Sequence, residues 1–398
     1  MNKPQPKKGI LDIAPYVGGK SKAGPGIEVV KLSSNETPLG PSPEARAAFV
    51  ASAASLHRYP DGNATKLREA IGKVKKLPPE QIVCGAGSDE LIGLLVHAYA
   101  GAGDEVLYSE HGFLMYKIYA QGNGASVVVA PEKNLRMDVD AMLAAVTPRT
   151  KIVFIANPNN PTGSYITKDE LARLHKGLPP QVILAIDGAY AEYVPASPSP
   201  SGRGRGEGSF SIINGPHANA SPHPNPLPER EGISDYSCGR ELVAGNENVI
   251  CLRTFSKIYG LSALRLGWAY GPPAIIDVLN RLRGPFNVST PAIEAGIAAM
   301  NDTAYTESVK HFNTHWLGWL SQEISKLGLK VAPSAANFVL VEFAAGKHSA
   351  ASAAAFLMER GLIVRDVVAY GLPNHLRITV GREEDNKAII KVLADFLA

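Results

Sequence analysis

Short apolar runs alternate with stretches of helical spacing along much of the chain. Five runs have the length of a strand, at residues 105–108, 126–130, 152–156, 182–186 and 249–252. Between them, apolar residues recur three and four positions apart, as on one face of a helix, at residues 89–100, 138–146 and 168–176. Ser88 and Thr167 precede the first and last of these helices and are expected to be N-caps. The alternation predicts an α/β fold with a mostly parallel central sheet flanked by helices.

The pattern changes after residue 271. A long helical region over about 291–327 leads to a segment with strands near 338–342 and 376–380 and a closing helix from about 383. This mixture is typical of a smaller α+β domain. We predict an N-terminal arm that contributes to the small domain (1–49), a large domain (50–285) and a small C-terminal domain (286–398).

One segment differs from the rest of the chain in its amino-acid composition. Residues 195–232 contain 8 Pro, 6 Gly and 6 Ser among 38 positions, and apolar residues are sparse. Such a composition disfavours a packed core and predicts a disordered loop. A docking segment is the alternative, but surface loops absorb added length at small entropic cost, so we interpret the block as an insertion.

Composition narrows the classes of function. The chain has 398 residues, 45% of them apolar, and a net charge of +3, which does not favour binding to nucleic acid or to a membrane surface. Three cysteines without a C-x-x-C pair indicate neither a disulfide framework nor a zinc site. The histidines lack metal-ligand spacing, and no apolar run approaches about 18 residues. We expect a cytoplasmic protein without a metal.

Candidate chemistry centres on Lys257, in the stretch T-F-S-K-I-Y-G-L-S-A-L-R-L-G-W at residues 254–268. A lysine beside Ser256 and near Arg265 suits an aldehyde cofactor bound as a Schiff base, with the hydroxyl and guanidinium groups on its phosphate. The alternative is a solvated lysine in a loop. The motif therefore indicates a pyridoxal-phosphate enzyme only if other residues supply the remaining needs of that cofactor.

A pyridoxal ring needs a carboxylate at its ring nitrogen. Asp187 ends the apolar run V-I-L-A-I, which places it at the carboxyl edge of the sheet, and Tyr190 follows in reach of the phenolic oxygen. A helix N-cap with a core tyrosine is the alternative. The turn N-P-N-N-P-T-G at 157–163 contains Asn160, whose amide suits the same oxygen.

A phosphate group needs several donors. The stretch G-A-G-S-D-E at 85–90 opens a helix and directs backbone N–H groups at an anion, although glycine-rich helix starts are common. Phe113 suits stacking on the ring, or it is simply core. Tyr59, in R-Y-P-D, lies in an expected loop from which it can reach a phosphate.

Taken in order, S-N-E-T-P, R-Y-P-D, G-A-G-S-D-E, N-P-N-N-P-T-G, D-G-A-Y, the lysine motif and L-R-I-T-V-G resemble fold type I pyridoxal-phosphate aminotransferases. The resemblance covers about residues 10–397, apart from the block at 195–232. It implies that Lys257 forms the internal aldimine, that Asp187 pairs with the pyridine nitrogen, and that Tyr190 and Asn160 contact the phenolic oxygen. Phe113 has the stacking position.

The resemblance also implies the remaining contacts. Ser88, Asp89 through its backbone N–H, Ser256 and Arg265 hold the phosphate, and Tyr59 reaches it from the second subunit of a homodimer. For the substrate it implies Arg377, which grips a carboxylate, together with Tyr16, Asn35 and Arg365.

The expected reaction moves an amino group between glutamate/2-oxoglutarate and an anionic partner, for which we expect histidinol phosphate. An arginine fork suits both the carboxylate of one substrate and the phosphate of the other. The alternatives are an aromatic or other amino-acid aminotransferase, a pyridoxal-phosphate decarboxylase of a phosphorylated amino acid, and a non-enzymatic pyridoxal-binding regulator.

Overall fold

The computed structural model describes residues 4–7, 9–16, 18–20, 22, 26, 28–194 and 235–398. Its α-helices are α1 (Pro43–Ser52), α2 (Thr65–Lys75), α3 (Gly87–Tyr99), α4 (Leu114–Gly122), α5 (Val139–Ala144), α6 (Lys168–Gly177), α7 (Arg240–Val243), α8 (Pro273–Leu282), α9 (Thr290–Asn301), α10 (Thr303–Lys326), α11 (Ala350–Glu359) and α12 (Glu383–Leu397). Its strands are β1 (Val30–Lys31), β2 (Ile82–Gly85), β3 (Glu105–Ser109), β4 (Ser126–Ala130), β5 (Glu132–Lys133), β6 (Arg136–Met137), β7 (Thr150–Ala156), β8 (Ile183–Asp187), β9 (Val249–Thr254), β10 (Gly267–Tyr270), β11 (Lys330–Ala332), β12 (Phe338–Glu342), β13 (Leu362–Ile363), β14 (Arg365–Val367) and β15 (Leu372–Thr379).

The central sheet has seven strands among the described residues, in the order β2-β10-β9-β8-β7-β3-β4. Strand β10 runs antiparallel to both of its neighbours, and the other pairs are parallel. Every strand predicted for the large domain lies in this sheet, so the predicted α/β fold is confirmed. Parallel strands align their carboxyl ends, and this edge is where open α/β sheets place their ligands.

Of the two N-caps predicted from the sequence, one is confirmed and one is wrong. Thr167 caps α6, and its side chain accepts from the Glu170 N–H in a capping box. Ser88 is not an N-cap, because α3 already begins at Gly87 and Ser88 lies inside its first turn. Gly87 has a φ of +86°, a conformation that glycine adopts without strain, and it lies at the point where the chain turns into the helix.

Two other predicted helices differ in length. The helical region expected over 291–327 is divided into α9 and α10 at Asp302, whose side chain accepts from the Tyr305 N–H and so starts a new helix. The helix expected over 138–146 is the shorter α5, for which Asp138 is the N-cap.

The C-terminal third forms a second sheet, in the order β11-β12-β15-β14, which packs against α10, α11 and α12. The N-terminal strand β1 pairs in parallel with β13, so the beginning of the chain joins this unit. Helix α9, by contrast, shares the core of the large sheet. The predicted domain boundaries at 49 and 285 stay predictions.

The predicted insertion at 195–232 lies outside the described residues. Within the described ranges, no helix combines the length and the apolar character that crossing a membrane requires. The same residues contain no group of His, Cys, Asp or Glu side chains that would hold a metal ion.

Candidate active site

A cavity of about 400 Å³ opens at the carboxyl edge of the central parallel strands. It lies between the ends of β7, β8 and β9, the first turn of α3 and the small-domain sheet. All the sequence-predicted site residues except Tyr59 line it: Tyr16, Asn35, Ser88, Asp89, Phe113, Asn160, Asp187, Tyr190, Ser256, Lys257, Arg265, Arg365 and Arg377. The fold thus brings together residues that are separated by up to most of the chain.

Lys257 follows strand β9 and directs its amine into the cavity. Its Nζ donates to the Ser34 carbonyl oxygen at 3.1 Å and lies 5.6 Å from the centroid of the Tyr190 ring. Burial, together with the positive charge of Arg377, lowers the pKa of Lys257 to about 7. A substantial fraction of the amine is therefore uncharged near neutral pH, as a nucleophile or a proton carrier requires.

Asp187 ends strand β8 and is 5% exposed. Its Oδ2 accepts from the Tyr116 hydroxyl at 2.9 Å, and its Oδ1 accepts from the Ala189 N–H at 3.1 Å. Burial raises the pKa of Asp187, while both hydrogen bonds act in the opposite direction. A cationic ring nitrogen beside this carboxylate would compensate its burial.

Sequence reasoning missed Tyr116. Its ring stacks on Phe154 with centroids 4.6 Å apart, which holds the hydroxyl against Asp187. The signal was present in the chain, because Tyr116 closes the stretch H-G-F-L-M-Y that singled out Phe113. Phe113 lines the cavity and meets Tyr116 edge to face at 5.8 Å.

Polar contacts join the two domains beside Tyr190. The Asn35 Nδ2 donates to the Tyr190 hydroxyl at 2.8 Å, and the expected contact of Asn35 with the substrate stays a prediction. Arg377 donates to the Asn160 Oδ1, and its Nη2 donates to the Ser33 carbonyl oxygen at 2.8 Å. Burial raises the pKa of Tyr190 to about 12, so its hydroxyl stays protonated at neutral pH.

The first turn of α3 forms one end of the cavity. A Cβ atom at Gly87 would lie 2.7 Å from the Arg265 Nη2, so the guanidinium packs directly on the helix start. Arg265 Nη1 also donates to the Ser256 hydroxyl at 3.3 Å. The start of a helix, a hydroxyl and a guanidinium at one point suit a phosphate group.

Tyr59 is the one predicted site residue outside the cavity. It is 83% exposed and stacks on Phe286, with ring centroids 4.6 Å apart. Tyr370, which sequence reasoning also missed, lines the cavity beside Arg365 and Arg377. No spacing in the sequence pointed to it.

The matching family model is that of class I and II aminotransferases, and it covers residues 27–393. The chain belongs to this family. Histidinol-phosphate aminotransferase from Rhodopseudomonas palustris is 50% identical to it over 400 residues, which cover 100% of both chains. The histidinol-phosphate aminotransferase of Paramagnetospirillum magneticum is also 50% identical, over 100% of this chain and 99% of its own.

Solved structures of the family share the fold. Histidinol-phosphate aminotransferase from Sinorhizobium meliloti, crystallised in complex with pyridoxal-5'-phosphate, is 25% identical with a TM-score of 0.76, covering 93% of this chain and 91% of its own. The histidinol-phosphate aminotransferase from Clostridium acetobutylicum is 22% identical with a TM-score of 0.76, covering 92% of this chain and 98% of its own, and supports the fold alone. The resemblance inferred from the sequence motifs is confirmed.

Proposed function

We propose that this aminotransferase uses pyridoxal 5'-phosphate to transfer the amino group of L-histidinol phosphate to 2-oxoglutarate, giving imidazole acetol phosphate and L-glutamate in histidine biosynthesis. The observation that carries the proposal is one cavity that joins an amine of lowered pKa (Lys257), a buried carboxylate (Asp187) and the first turn of helix α3, where an anion would be favoured. Relatives with the corresponding name, 50% identical over the whole chain, support the substrate.

The cofactor, when bound, supplies the electron sink that makes the substrate α-carbon acidic. Asp187 would hold the ring nitrogen in its protonated form, and Tyr190 and Asn160 would contact the phenolic oxygen. Ser88, Asp89, Ser256 and Arg265 would hold the phosphate. Lys257 would hold the cofactor between turnovers and carry the proton to and from the substrate α-carbon, a role that its lowered pKa suits.

One site has to accept two different anions, because glutamate carries a carboxylate where histidinol phosphate carries a phosphate. Arg377 is 5% exposed and offers a guanidinium fork that fits both groups. Arg365 and Tyr16 line the same side of the cavity, and we assign them to substrate binding. Arg377 would exchange its contact with Asn160 for the substrate anion.

Amino-donor assays with purified protein test the specificity. We expect glutamate to form from 2-oxoglutarate with histidinol phosphate as the donor, and much more slowly with phenylalanine. A phosphorylated amino acid such as phosphoserine should be neither a good donor nor decarboxylated. No glutamate from histidinol phosphate would contradict the proposal, and turnover of one of the other two would indicate the corresponding alternative.

Lys257→Ala is the control for the chemistry. The variant should lose both turnover and the lysine-bound cofactor absorbance, and borohydride should no longer attach the cofactor to the protein. A reducible adduct at another lysine would contradict the assignment of Lys257. A purified protein that binds cofactor but transfers no amino group from any donor would indicate a regulator.

We also propose a homodimer in which Tyr59 reaches the phosphate of the partner subunit. Tyr59 lies outside its own cavity, and other exposed apolar side chains occur near it in the chain, at Phe49, Val50 and Leu56. A solution mass of two chains is expected, and Tyr59→Phe should weaken cofactor binding without changing that mass. A monomer with full activity would contradict the proposal.

The thiols of Cys84, Cys238 and Cys251 are free, which suits the cytoplasm, and cell fractionation would test that location.

A further inference from the structure

The amide of Asn35 is buried between a residue of the cavity and a residue of the small domain. Asn35 is 1% exposed and has a φ of +55°, a backbone conformation that asparagine tolerates better than most residues. Its side chain lies between Tyr190 and Thr379. Neither the mechanism above nor the anion-binding roles use Thr379.

The hydrogen bonds of Thr379 fix the orientation of this amide. The Asn35 backbone N–H donates to the Thr379 Oγ1 at 3.0 Å, so this hydroxyl oxygen acts as an acceptor there. The single hydroxyl proton is left for the second contact, to the Asn35 Oδ1 at 3.1 Å. With Oδ1 accepting from Thr379, the Nδ2 must face Tyr190, to whose hydroxyl oxygen it donates at 2.8 Å.

This donation constrains the proton of Tyr190. The Tyr190 oxygen accepts from the Asn35 amide, so its own O–H cannot point toward Asn35 and has to be directed elsewhere. Tyr190 is 4% exposed and its ring is wedged edge to face against Phe338, with centroids 5.4 Å apart, so the cavity is the open direction. The charged or titratable groups that face it there include Arg377, Asp187, Tyr16 and Tyr370, together with Lys257, whose Nζ lies 5.6 Å from the centroid of its ring.

We propose that Asn35 and Thr379 are positioning residues that keep the Tyr190 hydroxyl a hydrogen-bond donor toward the cavity, where the phenolic oxygen of the cofactor would lie. The proposal rests on the function proposed above. A flipped amide would offer its oxygen to Tyr190 and withdraw that proton from the cofactor. Thr379 opposes the flip, because its hydroxyl proton would lose the amide oxygen as its acceptor.

The small domain therefore contributes two side chains that would act at the cofactor and substrate site. Arg377 and Thr379 are two positions apart on strand β15, so their side chains project from the same face of the sheet. Asn337, immediately before β12, donates to the Asn35 carbonyl oxygen at 3.0 Å and fixes the same segment. One face of β15 thus carries both the expected anion-binding guanidinium and the hydroxyl that sets the Asn35 amide.

The test is a pH titration of the visible absorbance of the lysine-bound cofactor in the holoenzyme. A donor to the phenolic oxygen stabilises its negative charge, so loss of that donor should raise the midpoint of the titration. We expect Tyr190→Phe to raise the midpoint, and Thr379→Val to raise it in the same direction by about half a pH unit or more. Thr379→Ser keeps the hydroxyl and should restore the wild-type midpoint.

A double variant separates this role from a structural one. In the Tyr190→Phe background there is no proton left to direct, so Thr379→Val should add no further shift. An unchanged midpoint in Thr379→Val, or an equal shift with and without the Tyr190 hydroxyl, would overturn the proposal. If Thr379→Val does not fold, Asn35→Asp replaces it, because a carboxylate cannot donate to Tyr190, and its shift should likewise shrink in the Tyr190→Phe background. A wild-type protein that forms no lysine-bound cofactor would defeat the proposed function instead.

Discussion

At the scale of single residues, burying the charged amine of Lys257 destabilises the folded state, and the size of this free-energy cost depends on pH. Its pKa in the folded chain is about 7, against an ordinary value of 10.5. Below pH 7 the amine is charged in both the folded and the unfolded chain, so the folded state bears the full cost of burying the charge. Between these values only the unfolded chain keeps the proton, and the cost declines as pH rises, until it is absent above 10.5.

Lys257→Met should therefore stabilise the cofactor-free protein, and more so in acid. We expect a gain of about 2 kcal/mol in the free energy of unfolding near pH 6, less than the full shift implies because solvent in the cavity screens the charge. The gain should shrink toward pH 10. Urea denaturation at the two pH values measures it, with Lys66→Met on the exposed face of α2 as the control. An equal gain at both values would contradict the assigned cause.

Individual residues also show what the sequence could predict and what it could not. Motifs singled out residues whose role follows from chemical type, such as the lysine and the carboxylate at a strand end. Thr379 was missed because its proposed role depends on a distant residue. Tyr116 was missed although it closes the stretch that contains Phe113, and Tyr370 belongs to no motif singled out in the sequence. Thr379 meets Asn35 across 344 positions, and no local pattern encodes such a pair.

At the scale of elements, helix α6 is held by its first turn. The Thr167 side chain accepts from the Glu170 N–H, and the Glu170 carboxylate accepts from the Thr167 N–H and pairs with Arg136. Arg136 holds the pKa of Glu170 down, at about 2, so the pair persists across the range in which proteins are usually studied.

Thr167→Ala should lower the free energy of unfolding by about 1 kcal/mol, the usual value of an N-cap side chain. Thr167→Ser retains the acceptor oxygen and should have nearly wild-type stability. Denaturant unfolding of the two variants measures the difference. Unchanged stability in Thr167→Ala would show that the Glu170 contacts alone hold the turn. Thr167 does not line the active-site cavity, so turnover should be retained in both variants.

The properties of individual strands and helices explain which of them were predicted from the sequence and which were missed. Strands β3, β7, β8 and β9 were predicted because they are buried on both faces, which leaves uninterrupted apolar runs. Strand β4 was predicted from its run of three valines, although it is a partly exposed edge strand. Strand β10 has only four residues, and the first two, Gly267 and Trp268, were assigned to the lysine motif. The division between α9 and α10 was missed because apolar spacing continues across Asp302, and only the capping contact to Tyr305 marks the break.

At the scale of the whole molecule, the described residues nearest the predicted insertion are firmly attached to the large domain. After it, the Asp235 carbonyl oxygen accepts from the Lys168 N–H at 2.6 Å, and the Tyr236 hydroxyl donates to the Asn157 carbonyl oxygen at 2.9 Å. The Asn157 Nδ2 in turn donates to the Ser237 carbonyl oxygen at 3.1 Å. These bonds support the turn that carries Asn160, and every one of them lies outside the residues 195–232.

Excision of residues 197–232, with a short Gly/Ser linker in their place, should therefore leave turnover within about twofold of the full chain, since loop length itself has a small entropic cost. The lysine-bound cofactor absorbance should be unchanged. Tyr236→Phe in the full chain is the matched comparison, because it keeps the inserted block and removes one anchoring bond, and it should reduce turnover more than the excision does. Loss of soluble dimer or of activity on excision would instead assign the block a structural role, and would mean that the anchors at 235–237 do not suffice to place Asn160.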